Sequence, residues 1–168
     1  MSTIHVVRGV ASAATAMASY DAALAEANVH NYNLVTVSSV IPAGATVEQA
    51  DTAPDLGPAG NRLTVVESRT TAEAGTTERV CAGVGWVTGP GPGLFYEATA
   101  DDPETVRETI ARGLAAGKEL RDWTFDAEEI VLAEGAVPDA DTDADTDDRN
   151  RYTTAVVIAA YGESEPVL

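Results

Sequence analysis

The stretch that decides the fold class is RVCAGVGWVTGPGPGLFYEATADDPETVRETIARGLAAG, residues 79–117. Its first ten residues, 79–88, are a mostly apolar run of strand length. The connector 89–93, Gly-Pro-Gly-Pro-Gly, lacks two amide donors because of its prolines and has no lysine after it, which excludes a phosphate-binding loop. Leu94–Ala98 then has the composition of another strand. We therefore predict two strands joined by a rigid turn.

The second half of this stretch predicts a helix. Asp102 can cap the first turn, and Pro103 suits the first helical position because that residue needs no amide hydrogen. Apolar residues then recur every four positions, at Val106, Ile110 and Leu114. This spacing places them on one face of an amphipathic helix that ends at Gly117 or just beyond.

The flanking sequence adds further strands and one more helix. Strand patterns occupy Ile4–Arg8, Asn31–Val40, Leu63–Ser68, Glu129–Ala133 and Tyr152–Tyr161. Residues 13–27 have helical spacing, and residues 43–61 lack a period and are predicted to be a loop. Two main helices among about seven strands predict a single α/β domain over residues 1–168, a layered sandwich with largely antiparallel pairing.

The charge of the chain limits its partners. Twenty-seven acidic residues against ten basic ones give a net charge of −17, and Lys118 is the one lysine. Such a surface repels nucleic acid and anionic membranes, so we expect neither as a partner. The acidic residues could attract a cationic substrate. Because they are spread along the whole chain, we instead expect them to keep the protein soluble in the salt-rich cytoplasm of a halophile.

The compartment follows from three features of the sequence. No run approaches the roughly 18 apolar residues of a membrane-spanning helix. The first residues lack the basic and apolar regions of a signal peptide. Cys81 is the one cysteine and cannot pair within the chain, which suits a reducing environment. We expect a cytoplasmic protein.

Residues 138–148, PDADTDADTDD, are predicted to form an acidic surface loop, because they are rich in aspartate and contain no large apolar side chain. Asp141, Asp143 and Asp145 alternate as in a calcium-binding loop. The segment lacks the glycine and the distal glutamate that such a loop needs, so we predict no metal site.

Residues 33–42, NLVTVSSVIP, carry the candidate chemistry, as a buried strand that ends in a serine pair. The hydroxyl of Ser39 can attack the Ser38 carbonyl to give an oxyanion and then an ester, provided that a donor stabilises the oxyanion. The Asn33 amide is a candidate donor. Elimination and hydrolysis would leave a pyruvoyl group and release ammonia. Alternatively, the two serines only mark the end of a strand.

Four segments make the chain resemble the pyruvoyl-dependent arginine decarboxylases. They are Tyr-Asp-Ala-Ala-Leu at 20–24, Asn-Tyr-Asn-Leu at 31–34, Val-Ser-Ser-Val-Ile-Pro at 37–42 and Gly-Leu-Phe-Tyr-Glu at 93–97. The serine motif is the specific part. The helix after residue 102 and Leu-Arg-Asp-Trp at 120–123 match in kind, so the resemblance covers most of the chain.

The resemblance implies an activity, a cofactor and site residues. Ser39 would become the covalent pyruvoyl cofactor, leaving a β chain of residues 1–38 and an α chain of residues 39–168. Asn33 would assist this processing, Glu97 would return a proton to the substrate carbon, and Asp21 would bind the guanidinium of L-arginine. The products would be agmatine and carbon dioxide, for polyamine biosynthesis. The resemblance also implies trimers or dimers of trimers, with sites between subunits.

Two alternatives remain open from the sequence. His30 and Tyr32 depart from the family pattern near the processing site, so the same chemistry could act on another amino acid. A homologue from a different functional class would keep Ser39 intact and serve as a binding or scaffolding protein.

Overall fold

The computed structural model describes residues 2–140 and 148–168, which form two sheets and two main helices. The strands are β1 Thr3–Ala13, β2 Asn33–Thr36, β3 Val40–Ile41, β4 Thr46–Gln49, β5 Arg62–Glu73, β6 Arg79–Thr88, β7 Gly93–Ala100, β8 Ala127–Ala136 and β9 Tyr152–Tyr161. The helices are α1 Ala16–Glu26 and α2 Pro103–Glu119, with a short 3₁₀ helix at Asp148–Asn150. The predicted α/β class is confirmed.

The two sheets have mostly antiparallel neighbours. The first has the strand order β2-β5-β9-β1-β4, and the second has the order β3-β7-β6-β8. The parallel pairs, β1 with β4 and β2 with β5, lie at the two edges of the first sheet. The remaining ladders of the described chain are antiparallel, as predicted.

The sheets stack face to face, and each carries one helix on its outer face. The core between the sheets joins side chains of both, among them Val6, Val66, Val84, Phe95 and Val157. A second cluster packs α1 on the first sheet, and a third packs α2 on the second. The result is a four-layer sandwich in the order helix, sheet, sheet, helix, because each sheet buries both of its faces.

Helix α2 begins where its local sequence predicts. Asp102 accepts hydrogen bonds from the backbone nitrogen and the hydroxyl of Thr105, at 2.8 and 2.6 Å. Pro103 occupies the first helical position. The predicted apolar face is buried against β6 and β7, and its residues are Val106, Ile110 and Leu114.

Two predictions in the first third of the chain are wrong. Residues 31–40 do not form one buried strand, because β2 pairs with β5 in the first sheet and β3 pairs with β7 in the second. This stretch is also exposed at Val35, Val37 and Val40. Residues 43–61 are not loop throughout, because they contain the edge strand β4, where only Val47 packs against the core.

The acidic run lies mainly outside the described residues. The predicted loop at 138–148 lies partly, and the calcium alternative at Asp141, Asp143 and Asp145 wholly, outside the described residues. Within the described ranges, no helix is long and apolar enough to cross a membrane.

Candidate active site

The Ser38–Ser39 peptide lies where the chain crosses from one sheet to the other. On the near side, the Val37 nitrogen donates to the Val65 oxygen at 2.9 Å, which continues the pairing of β2 with β5. On the far side, the Phe95 nitrogen donates to the Ser39 oxygen at 2.8 Å and starts the pairing of β3 with β7. The serine pair is therefore held at both ends by backbone hydrogen bonds from different sheets.

A tight turn at Ser39 brings a donor to the peptide bond that would be cut. The backbone nitrogen of Val40 donates to the Ser38 carbonyl oxygen at 3.1 Å. A donor in this position polarises the carbonyl and can stabilise negative charge that develops on its oxygen. The turn therefore supplies a donor of the kind that serine attack on the Ser38 carbonyl requires.

Glu97 lies on β7 and lines the same cavity as Ser39. The Ser39 side chain is near enough to the Glu97 carboxyl group to lower its pKa. Desolvation by the surrounding chain raises the pKa of Glu97, and the nearby backbone and Ser39 side chain oppose this only in part. Glu97 is nevertheless exposed to solvent in the single chain. A raised pKa keeps the carboxyl protonated to higher pH than usual, which suits a group that must first accept and later donate a proton.

Tyr161, at the end of β9, holds the residue that follows the serine pair. Its hydroxyl donates to the Val40 carbonyl oxygen at 3.0 Å, and its ring packs edge-on against Phe95 at 6.0 Å. Burial, and to a smaller extent the charge of Glu97, raises the pKa of Tyr161 to about 12. The hydroxyl therefore remains a donor at neutral pH. Tyr161 is not among the site residues predicted from the sequence.

A cavity of about 330 Å³ opens onto the serine pair. Its lining residues are Ser38, Ser39, Val40, Leu94, Tyr96, Glu97 and Arg121. Tyr96 fits a slot in α2, because a Cβ atom on Gly113 or Gly117 would approach the Tyr96 side chain to 2.4 or 2.8 Å. The absence of side chains at these two helix positions therefore sets the position of one cavity wall.

Arg121 was also missed as a site residue, although the resemblance included its segment. One guanidinium nitrogen, Nη1, donates to the Gly117 carbonyl oxygen at 2.9 Å. The guanidinium carbon lies 5.3 Å from the centre of the Trp123 ring. These contacts hold a positive charge at the end of α2, on the edge of the cavity.

The structure brings together three of the five predicted site residues and places two elsewhere. Ser38, Ser39 and Glu97 line one cavity. The Asn33 amide nitrogen donates to the Gly60 oxygen at 2.6 Å, and no described hydrogen bond joins it to the serines. Asp21 is exposed on α1, and it is absent from the residues that line the cavity.

Other features of the described chain give no metal site. Within residues 2–140 and 148–168, no three His, Cys, Asp or Glu side chains are arranged to hold a metal ion. Cys81 is buried and unpaired.

Comparisons with known proteins agree with this geometry. The family described as "Pyruvoyl-dependent arginine decarboxylase (PvlArgDC)" matches residues 3–166. A protein of that name from Halobacterium salinarum is 51% identical over 169 residues, which cover 99% of this chain and 98% of the relative. One from Pyrococcus furiosus is 32% identical over 136 residues, or 80% of this chain and 85% of the relative.

The match extends over nearly the whole chain, including the two main helices and the nine strands of the described residues. Both the crossover that carries the serine pair and the strand that carries Glu97 lie inside it. The chain therefore belongs to the pyruvoyl-dependent arginine decarboxylase family.

Proposed function

We propose that this chain cuts itself between Ser38 and Ser39 and then decarboxylates L-arginine to agmatine and carbon dioxide, a step of polyamine biosynthesis. The observation that carries the proposal is the paired geometry at the crossover. Ser39 and Glu97 line one cavity, while the Ser38 carbonyl accepts from the Val40 nitrogen. A nucleophile, a carboxyl group and an oxyanion donor therefore lie around one peptide bond in a chain of this family.

Self-cleavage begins as the transfer of an acyl group from nitrogen to oxygen. The Ser39 oxygen bonds to the Ser38 carbonyl carbon, and the carbon–nitrogen bond of the peptide breaks. The hydroxyl proton of Ser39 passes through solvent at this exposed turn to the freed amine, so the proton count balances. The Val40 N–H stabilises the oxyanion that forms between these two events.

The ester then breaks down into the two chains. Loss of the Cα proton and of the Ser38 carboxylate leaves dehydroalanine at residue 39, and water converts this group to pyruvoyl and ammonia. The products are a β chain of residues 1–38 and an α chain of residues 39–168. The two backbone hydrogen bonds on either side of the crossover keep both new ends in place after the cut.

The residues at the crossover fit a pyruvoyl group. Once formed, the group supplies an electron-withdrawing ketone that can hold the substrate amine and take up the electron pair released with carbon dioxide. The Ser39 amide carbonyl, which shares that electron pair, already accepts from the Phe95 nitrogen at 2.8 Å. Glu97, two residues along the same strand, is placed to give the proton back to the substrate carbon.

The oligomer and the guanidinium site belong to the same proposal. Asp21 would bind the guanidinium through two parallel charge-assisted hydrogen bonds, but within one chain it lies away from the cavity. We therefore propose a homotrimer, or a dimer of trimers, in which a neighbouring chain supplies Asp21. Exposed apolar side chains support this, since Val35, Val37 and Val40 flank the serines and Met17 lies on the helix of Asp21.

The proposal includes a role for Asn33 and a compartment. Asn33 would assist processing, with its amide released from Gly60 or held there to brace the start of β2. We place the enzyme in the cytoplasm, because its cysteine is unpaired and its charge suits a salt-rich interior.

Mass spectrometry under denaturing conditions, together with carbon dioxide release from labelled L-arginine, tests the proposal. We expect two fragments separated after Ser38 and release of labelled gas from the processed protein. Ser39→Ala should give one intact, inactive chain. Ser38→Ala keeps the attacked carbonyl and is the matched control that should still split.

Two outcomes would contradict the proposal in different ways. An intact wild-type chain of 17.4 kDa would favour the scaffolding alternative. A split chain that releases gas from another amino acid but not from L-arginine would keep the pyruvoyl chemistry and replace the substrate.

A further inference from the structure

We infer that Arg121 binds the carboxylate of the amino-acid substrate and thereby distinguishes substrate from product. The inference rests on the proposed decarboxylation and adds a substrate-binding residue to it. Its starting point is the cavity of about 330 Å³ that contains Ser39 and Glu97, where Arg121 is the one cationic side chain among the lining residues.

The guanidinium is held in place without being neutralised. It donates to the Gly117 carbonyl oxygen and lies over the Trp123 ring, and both of these partners are uncharged. None of the ion pairs found within residues 2–140 and 148–168 involves Arg121. Since a guanidinium has five N–H donors in a rigid fork, several remain for a ligand.

Glu97, the acidic residue of the same cavity, does not serve as the partner of Arg121. A neighbouring guanidinium would lower the pKa of a carboxyl group, whereas the pKa of Glu97 is raised, chiefly by burial. The positive charge of Arg121 is therefore available for an incoming anion.

The substrate brings such an anion to this place. An amino acid that is attached through its α-amine at residue 39 has its carboxylate only two bonds from that nitrogen, so the carboxylate must lie inside this small cavity. A planar guanidinium matches a carboxylate through two parallel hydrogen bonds. The same contact would fix the direction of the carbon–carbon bond that breaks, which is a contribution of orientation.

This contact stabilises the bound substrate more than the later stages of the reaction. The negative charge leaves the carboxylate as carbon dioxide forms, so the attraction weakens toward the transition state. Loss of this attraction alone would raise kcat, whereas loss of the orientation would lower it. We therefore expect loss of Arg121 to raise KM for L-arginine by much more than it changes kcat. Agmatine, which has no carboxylate, should not sense the change.

The experiment compares L-arginine with agmatine on processed wild type, Arg121→Gln and Arg121→Lys. Turnover gives KM and kcat for L-arginine, and calorimetry gives the dissociation constant of agmatine. For Arg121→Gln we expect KM to rise by about 10- to 100-fold, the loss typical of one charged hydrogen-bonded contact. Agmatine binding should change by less than about threefold, since that ligand makes no contact of this kind.

Arg121→Lys tests charge against shape. This variant keeps a positive charge but loses the planar guanidinium and its stacking on Trp123. Its KM for L-arginine should therefore lie between those of wild type and Arg121→Gln. Mass spectrometry of each variant first establishes that the same fraction of the chain is split, because Arg121 and the serine pair share one cavity.

Each remaining outcome is decisive. If Arg121→Gln weakens the binding of L-arginine and of agmatine equally, Arg121 only maintains the shape of the cavity through Gly117 and Trp123, and the inference fails. It fails too if neither ligand is affected. A wild-type protein that does not act on L-arginine at all would instead contradict the proposed function.

Discussion

Replacement of one backbone N–H group by oxygen would test the oxyanion donor of self-cleavage. Incorporation of the α-hydroxy acid analogue of valine at position 40 turns the Ser39–Val40 amide into an ester and keeps the side chain. The change removes the N–H that donates to the Ser38 oxygen at 3.1 Å. That distance lies at the outer limit of the roughly 2.7–3.1 Å expected of an oxyanion donor.

The expected effect is a large loss of rate with a small loss of stability. Ser38 is exposed, so water can replace the donor before the reaction begins. The oxyanion, in contrast, forms inside the turn, where loss of one donor costs about 2.7–4 kcal/mol. Splitting after Ser38 should therefore slow by roughly 10²- to 10³-fold, as followed by mass spectrometry of purified precursor over time.

Val37 offers a matched control. Its nitrogen donates to the Val65 oxygen at 2.9 Å, so the same valine-to-ester change there also removes one backbone hydrogen bond, two residues before the reacting serine. This control should lose about 0.5–1.5 kcal/mol of stability and split at nearly the normal rate. Equal splitting rates for the two esters would refute the role of the Val40 N–H.

The remaining predictions concern Glu97 and the slot for Tyr96. Glu97→Gln should still split, because it keeps the Ser39 hydroxyl and the Val40 donor, but turnover should fall by roughly 10²- to 10⁴-fold. Because burial raises the pKa of Glu97, wild-type kcat should fall as pH rises through that pKa, and a pH profile of the variant that keeps this fall would assign the proton to another group. Gly113→Ala would place a Cβ atom 2.4 Å from the Tyr96 ring, so overpacking of about 1–3 kcal/mol should exceed the helix-propensity gain of about 1 kcal/mol. Thermal unfolding should show a lower Tm than wild type, while the exposed control Ala116→Gly should lose only about 1 kcal/mol; a higher Tm for Gly113→Ala would contradict the slot.

Some elements were predicted from local sequence because local interactions form them. The bounds of β6 and β9 agree with the predicted strands, since both are continuous apolar runs that are buried on each face. Helix α2 begins at its predicted cap, because Asp102 and Thr105 are near neighbours in the chain. The serine motif was likewise recognisable, because the reacting groups of Ser38 and Ser39 are joined by one peptide bond.

Other features depended on partners that are distant in the sequence. Residues 31–40 are divided between two sheets because β2 pairs with β5 and β3 pairs with β7. From the sequence alone, the exposed valines of this stretch cannot be distinguished from the valines of a buried strand. Arg121 reaches the cavity only because α2 packs across the second sheet.

The amino-acid sequence by itself predicted the serine pair and the helix α2, because adjacent residues or a regular spacing specify each of these, and the family resemblance added Glu97 as the candidate carboxylate. Only the tertiary structure decided what surrounds the Ser38–Ser39 bond. Tyr161 lies 121 positions from Val40 in the chain, yet donates to its carbonyl oxygen. Such a contact forms when two sheets pack face to face, and no local pattern of residues encodes which side chain will then lie opposite the crossover.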